Sequence, residues 1–339
     1  MAPAATRDLD FTAARLHGRR SRLADGAVLD ELCRIRTVGE LCRRLEVNCG
    51  PRVTASEFQR KILEDYASEL TELASGVSRE YADFFEWQRY RFRIENVKVI
   101  CRGLFAKKSV REINTRLVGY ELPKSFAAEE DFLENPLPLL ERLEVEAAVR
   151  KTVADALPVL KDSPHVFTLE TLIDCGYYAE LVRRAALCGR SGDEEGVSIL
   201  ADQEAAGFMT MLALRGALNY GLKAETLSRF HVAGTRLSAQ MFERLATVPL
   251  KDVAAVAGGV AFDALPPEPS VSDVEAACWS RYLRLANRLF RRGHMNVAAI
   301  AGFAGLRRIE VANLITISEG LRLGVDGHDL RARLIPRGK

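Results

Sequence analysis

The sequence predicts an all-α fold, and three observations support this prediction. Four Ser or Thr residues are each followed three positions later by Glu, which is the pattern of a capping box at a helix N-terminus. These pairs are Thr54–Glu57, Ser109–Glu112, Ser191–Glu194 and Ser272–Glu275. Each pair precedes a segment whose apolar residues recur at spacings of three and four. Alternating runs of Val, Ile and Thr between Asn-Gly or Asp-Gly turns, which are typical of strands, do not occur in the sequence.

The clearest predicted helix contains residues 84–103, FFEWQRYRFRIENVKVICRG, with five aromatic residues and four arginines. Its apolar residues form one stripe: Trp87, Tyr90, Ile94, Val97, Cys101 and Leu104. Arg89 and Arg93 lie together on another face. Aromatic rings that stack on bases must be exposed, whereas a stripe of this kind packs against a core. The spacing therefore favours buried rings over a base-stacking surface.

Proline-bearing segments near 121–138, 157–167 and 263–272 divide the helical pattern into blocks, because proline ends or excludes a helix. Together with the repeat described next, they predict three helical modules at about residues 1–122, 123–230 and 231–339.

A repeat links the two ends of the chain. Residues 96–104, NVKVICRGL, match residues 313–321, NLITISEGL, at an offset of 217, and the predicted N-cap Ser109 falls on Asp326 at the same offset. A third copy lies between them, where Arg215-Gly216 matches Arg102-Gly103 at an offset of 113. Three copies predict three similar modules that bury their apolar faces against one another.

The repeated residues have predicted structural roles. We expect the amides of Asn96 and Asn313 to tie adjacent helices together, and the glycines Gly103 and Gly320 to relax the last helical turn or permit close packing.

Charge and composition limit the function. The chain has 48 basic and 46 acidic residues, so a surface that binds nucleic acid must be local. Residues 84–116 are basic and residues 125–174 acidic, which indicates either two contact faces or, as we favour, two helical layers that pair. The longest uncharged runs are too short to span a membrane. Seven cysteines without a CxxC pair, after a polar N-terminus, predict reduced thiols in a cytosolic protein.

No pattern of a catalytic, metal or cofactor site occurs in the sequence. The five histidines lack the spacing of metal ligands on one helix face, and no GxxxxGK[ST] phosphate-binding loop is present. We therefore predict no catalytic residue, no metal, no cofactor and no small-molecule substrate.

The repeat resembles the C subunit of A-type and bacterial V-type ATPases, the homologue of the eukaryotic V-type d subunit. Residues 96–103, NVKVICRG, are similar to the repeated N-[LIV]-K-x-[LI]-x-R-[GA] pattern of that family, and Glu310-Val311-Ala312-Asn313 is similar to its C-terminal E-[IV]-x-N element. The resemblance runs from about residue 13 to 336. Two positions depart from the pattern: Met209 stands where the other copies have Asn, and Arg308 where an acid is expected.

The resemblance implies three pseudo-repeated helical modules in a funnel-like, pseudo-threefold socket. It further implies a non-catalytic adaptor that joins the central-stalk subunits D and F to the proteolipid ring, with the membrane stator subunit as a further candidate partner. Such an adaptor is cytoplasmic and peripherally attached to the membrane sector. Residues expected to shape the repeats are Asn96, Gly103, Arg215, Gly216, Glu310, Asn313 and Gly320, and candidate partner contacts are Arg89, Arg91, Arg93, Lys107 and Lys108.

Two other classes stay open from the sequence. A helical nucleic-acid-binding protein would use the arginine-rich helices and bind with a steep salt dependence. An all-α enzyme would need a metal or carboxylate pair assembled from distant residues, and no feature of the sequence favours it.

Overall fold

The computed structural model describes residues 9–50, 52–119, 132–162, 164–188, 195–293 and 296–336. Within these ranges the chain forms helices and no strand, with one isolated bridge between Gly258 and Phe262. The all-α prediction is confirmed.

Six long helices form the body of the fold. They are α4 (Ala55–Ser75), α5 (Arg79–Phe105), α10 (Val166–Cys188), α11 (Glu195–Tyr220), α15 (Val271–Arg292) and α16 (Val297–Leu323). The shorter helices are α1 (Leu9–Arg20), α2 (Gly26–Leu32), α3 (Val38–Arg44), α6 (Val110–Asn114), α7 (Leu137–Arg142), α8 (Ala147–Asp155), α9 (Leu157–Asp162), α12 (Ala224–Leu227), α13 (Ala239–Leu245), α14 (Val253–Ala257) and α17 (Gly327–Arg331).

The long helices form three pairs that are consecutive in the sequence, and the third pair packs against the first. α4 packs on α5, α10 on α11, and α15 on α16. Neighbouring pairs meet through α5 and α10, α11 and α15, and finally α16 and α4. The last helix pair therefore returns to the first, and one continuous core runs through all three pairs.

The apolar stripe predicted on α5 is correct but too narrow. Trp87 is buried, stacks on the ring of Tyr90 and donates its indole N–H to the carbonyl oxygen of Tyr177 at 3.0 Å. Phe85 and Phe92, which lie outside the stripe, are also buried. The physical reason is that α5 lies between α4 and α10 and packs against both.

Two of the predicted capping boxes are present and one was misplaced. Thr54 with Glu57 and Ser109 with Glu112 form both reciprocal hydrogen bonds. The predicted box at Ser272–Glu275 is wrong, because α15 begins two residues earlier, with Ser270 as N-cap and Asp273 as its partner. The earlier start places Val271 within the helix, where it packs against the core. The box predicted at Ser191–Glu194 lies outside the described residues.

The N-terminal half of α16 packs closely against its neighbours. A Cβ atom added at Gly302 would lie 2.5 Å from the backbone nitrogen of Phe290, and one at Gly305 would lie 3.0 Å from the Cβ of Ala286. Small residues let the axes of two helices approach closely. No larger side chain therefore fits between α15 and this half of α16.

Among the helices that the structure describes, none has a stretch of apolar residues sufficient to cross a lipid bilayer.

Candidate functional site

Equivalent residues of the repeat make equivalent hydrogen bonds in the structure. The Asn96 amide donates to the carbonyl oxygen of Val118 at 2.8 Å and accepts from the Val118 amide at 3.0 Å. The Asn313 amide makes the same two bonds to Ile335, at 2.7 and 2.8 Å. Each asparagine thus pins the segment that follows the next short helix.

Met209 occupies the same place in the middle copy. Its sulfur accepts a hydrogen bond from the amide of Val232 at 3.3 Å. The departure from asparagine therefore keeps one of the two contacts and loses the donor.

The three repeated glycines pack against the short helices that follow them. An added Cβ would lie 2.4 Å from Ile113 Cγ1 at Gly103, 2.6 Å from Leu227 Cδ2 at Gly216, and 2.7 Å from Leu330 Cδ1 at Gly320. These glycines serve close packing, because the left-handed residues that end the helices are others.

Those left-handed residues are Lys107, Gly221 and Gly324. The backbone amide after each of them donates to the carbonyl oxygen of the repeated glycine, at 2.9 Å in all three copies. The middle copy has one more residue in this turn, between Gly216 and Leu222, yet it closes the same bond.

One residue from the same position of each repeat meets at the centre of the fold. Arg91, Glu204 and Arg308 are related by the offsets of 113 and 217. Arg91 Nη1 donates to Glu204 Oε1 at 2.9 Å, and Arg308 Nη1 pairs with Glu204 Oε2. The Glu204 side chain is 2 % exposed, against 29 % for Arg91 and 15 % for Arg308. We call these three residues the central cluster.

Aromatic side chains surround the central cluster. The Arg91 guanidinium lies 5.8 Å from the centre of the Tyr178 ring and donates to the Tyr178 hydroxyl at 3.1 Å. The Arg308 guanidinium lies 4.9 Å from the centre of the Trp279 ring. Stacking on π faces stabilises both cations where water is excluded.

The central cluster stays cationic on its two arginines. Burial and the neighbouring Arg91 each lower the pKa of the Arg308 guanidinium, but Glu204 and the surrounding tyrosines together raise it more, so this pKa lies above its ordinary value. Burial also lowers the pKa of Arg91, but the neighbouring tyrosines and carboxylates together raise it more, so it too lies above its ordinary value.

Ion pairs continue outward from the central cluster along α5. Arg91 lies 3.9 Å from Glu95, and Lys98 contacts both Glu95 and Asp174 at 3.0 Å. Burial lowers the pKa of Lys98, yet Asp174 and Glu95 raise it more. This line of alternating charges joins the centre of the fold to α10.

Two cavities border the central cluster. The larger, here called the central cavity, has a volume of about 320 Å³ and is lined by residues that include Tyr66, Arg91, Phe92, Trp279, Arg308 and Ile315. The smaller, of about 180 Å³, borders Arg91, Glu204 and Trp279. On α5, α11 and α16, the residues that line the two cavities lie at the central cluster and on its C-terminal side. Only one lining residue of these helices lies on the N-terminal side of the cluster.

The same C-terminal ends present exposed apolar side chains. Phe105, Leu218, Tyr220 and Leu323 are each about half exposed or more. These four residues, called the apolar ends below, come from all three repeats.

The predicted partner contacts lie in different settings. Arg91 belongs to the central cluster, and Arg93 donates to the Leu143 carbonyl oxygen at 2.8 Å and pairs with Glu144 at 2.9 Å. Lys107 and Lys108 are exposed at the end of α5, beside Phe105. Arg89 is half-buried on α5. Their contact with a partner stays a prediction.

The remaining residues expected to shape the repeats are also placed. Arg215 pairs with Glu275 at 2.7 Å on the surface. The buried Glu310 accepts from the amide of Ala24 at 2.6 Å and pairs with Arg307.

Basic and acidic segments pair within the fold, as we favoured from the sequence. Besides Arg93 with Glu144, Lys98 contacts Asp174 at 3.0 Å and Arg102 contacts Glu170 at 2.7 Å. The part of the acidic segment between 120 and 131 lies outside the described residues.

Sequence reasoning missed Glu204 and the role of Arg308. Extending the repeat alignment by a little over one turn before Asn96 would have placed Arg91, Glu204 and Arg308 at one position with opposite charges. That contrast in sign is the signal of an internal contact between copies.

In the described part of the chain, no group of three His, Cys, Asp or Glu residues is arranged to hold a metal ion. A search of curated proteins found no match. The sequence model of one family, the ATP synthase (C/AC39) subunit, matches residues 12–333. Because this match spans nearly the whole chain, it confirms the resemblance seen in the repeats: the chain belongs to the ATP synthase (C/AC39) subunit family.

Proposed function

We propose that this chain is the non-catalytic adaptor that couples the rotating central stalk, subunits D and F, to the proteolipid ring of a rotary ATPase. The observation behind the proposal is the central cavity, which lies between repeated helices in a chain of this family. In this proposal the adaptor is held at the cytoplasmic face of the membrane sector, and the stator subunit is a further neighbour.

The central cavity suits the end of a narrow shaft. Its lining is largely apolar, through Phe92, Trp279 and Ile315, and it also includes Arg91 and Arg308. An apolar lining binds by excluding water, and the two arginines restrict which side chains can bind beside them. The apolar ends and the exposed Lys107 and Lys108 extend the contact surface beyond the cavity.

A closely packed ring of helices suits the transmission of torque. Protein interiors have low compressibility, so a force applied at the cavity is passed to the outer helices without slippage. The closing contact between α16 and α4 prevents the ring from opening under that force.

A binding experiment with the immobilised D–F complex tests the proposal. Ala312 is exposed and lines the central cavity, so Ala312→Arg fills the cavity without disturbing the core. We expect this variant to bind the D–F complex at least about tenfold more weakly, because the added side chain occupies the space of the shaft. Since charges screen beyond about 8 Å at physiological salt, binding should also weaken as salt rises.

The matched control is Ala255→Arg, an identical change at an exposed position of α14 that does not line the cavity. Its affinity should equal that of the parent chain. Equal binding by both variants, or no binding of the parent chain, would overturn the proposed use of the cavity.

A nucleic-acid-binding role receives no support from these features. Phe84, Phe85 and Trp87 are buried and therefore cannot stack on bases.

A further inference from the structure

Two cysteines approach each other at the end of α3. The helix ends at Arg44, Glu46 adopts a left-handed backbone with φ of 55°, and the amide of Val47 donates to the carbonyl oxygen of Cys42 at 2.9 Å. The chain thus reverses direction and brings Cys49 back beside Cys42. Their sulfur atoms are 2.8 Å apart, about 0.8 Å more than the length of a disulfide bond.

The two thiols differ in their surroundings. Cys42 is buried, and burial together with its hydrogen bond to Cys49 raises its pKa to about 12. Cys49 is half-buried, so a small molecule in solution reaches its sulfur more readily than the sulfur of the buried Cys42. The other five cysteines are all buried.

We propose that Cys42 and Cys49 are a reversible thiol-modification site that forms an intramolecular disulfide with a low-molecular-weight disulfide as oxidant. The proposal is independent of the function proposed above, because it rests only on the fold around α3.

The reaction is two successive thiol–disulfide exchanges. The Cys49 thiolate attacks one sulfur of the oxidant, forms a mixed disulfide and releases one thiolate. Cys42 then loses its proton to water and attacks Cys49 Sγ, which breaks the mixed disulfide and releases the second thiolate. The cysteines lose two electrons and the oxidant gains them. Few Cys42 side chains are ionised at any time, but their position beside Cys49 gives the second step a high effective concentration.

Oxidation would tie the end of α3 to the segment that leads into α4. Since α3 packs on both α4 and α16, the disulfide restrains a segment where the first and last helix pairs meet.

Mass spectrometry of the folded full chain tests the site. After incubation with oxidised glutathione and alkylation of free thiols, trypsin cleaves at Arg43 and Arg44, so the two cysteines fall on separate peptides, residues 37–43 and 45–52. We expect these peptides to appear linked, at a mass about 2 Da below their sum, and to separate after treatment with dithiothreitol. Absence of the linked peptide in the parent chain would overturn the proposal.

Two serine variants test the order of the steps. Cys42→Ser removes the second thiol, so glutathione should remain attached to Cys49 as a lasting adduct. Cys49→Ser should show neither a linked peptide nor an adduct at Cys42. An adduct at Cys42 in that variant would contradict the assignment of Cys49 as the attacking thiol.

Discussion

At the scale of single residues, the central cluster is the most demanding feature of the fold. Burying a charge costs several kcal/mol unless it is paired and hydrogen-bonded. Glu204 uses one carboxylate oxygen for Arg91 and the other for Arg308. The acid therefore neutralises part of the charge of two cations that would otherwise repel each other at the centre.

Glu204→Gln should destabilise the protein strongly. The substitution keeps the shape but removes the buried carboxylate that both guanidinium groups share, so that Arg91 retains only Glu95 at 3.9 Å. Loss of one partner from a buried pair costs about 3–5 kcal/mol. Urea unfolding followed by circular dichroism measures the change in the free energy of unfolding.

Glu275→Gln is the matched control. Glu275 also pairs with an arginine, Arg215, but both side chains are more than a third exposed. Exposed pairs contribute at most about 1 kcal/mol. A similar loss of stability in both variants would show that the burial of Glu204 does not set its contribution.

The sequence predicted part of this residue-scale picture. The equivalence of Asn96 and Asn313 is visible within a single nonapeptide. They were expected to tie adjacent helices together, and each instead binds the segment that follows the next short helix. Glu204 was not identified, and Arg91 was assigned to partners, because a charged residue on a helix is normally solvated. Glu204 is buried because three helices that are distant in the sequence meet around it. A local sequence pattern contains no information about such a contact.

At the scale of elements, the repeated glycines set the distance between each long helix and the short helix after it. The added Cβ at Gly103 would approach a side-chain atom of Ile113 that is close to the backbone and therefore has little freedom to move. The short helix would have to shift.

Gly103→Ala should lower the free energy of unfolding by about 1–3 kcal/mol, the usual effect of overpacking in a core. Thermal and urea unfolding measure it. Gly207→Ala in α11 is the control, because its Cβ would lie 3.5 Å from Cys278 Cβ, an ordinary contact. That variant should be unchanged or more stable by up to about 1 kcal/mol, since alanine favours helix. If Gly103→Ala were as stable as the control, the close approach of α5 and the short helix after it would make no measurable contribution to the free energy of unfolding.

Helix boundaries show where local rules suffice. Thr54 and Ser109 cap their helices as predicted, although Ser56 and Gln59 offer a second box two residues after Thr54. Near α15 two overlapping boxes occur, at Ser270 and Ser272. The helix uses the earlier one, and this start includes the partly buried Val271 in the helix. The local pattern fits both boxes and does not by itself choose between them.

At the scale of the whole molecule, long-range contacts join the first helix pair to the last. The Tyr66 hydroxyl donates to the carbonyl oxygen of Ala304 at 3.2 Å, and the Gln59 amide donates to the Ser318 hydroxyl at 3.0 Å. Loss of either pair therefore exposes apolar surface of the other.

We expect all three helix pairs to unfold in a single transition. The chain has two tryptophans, Trp87 in α5 and Trp279 in α15. In Trp279→Phe, fluorescence reports the first pair, and in Trp87→Phe it reports the last. In each variant the fluorescence midpoint in urea should coincide with the circular-dichroism midpoint of that same variant. Separate midpoints would indicate pairs that unfold independently.

The three copies are built alike, yet at the centre they contribute Arg91, Glu204 and Arg308 and so differ in sign. Two of the copies therefore present an arginine to the central cavity, whereas the third keeps its carboxylate buried between them. Copies that share one backbone pattern thus offer unequal charge, and a ligand in the cavity can distinguish one copy from the other two.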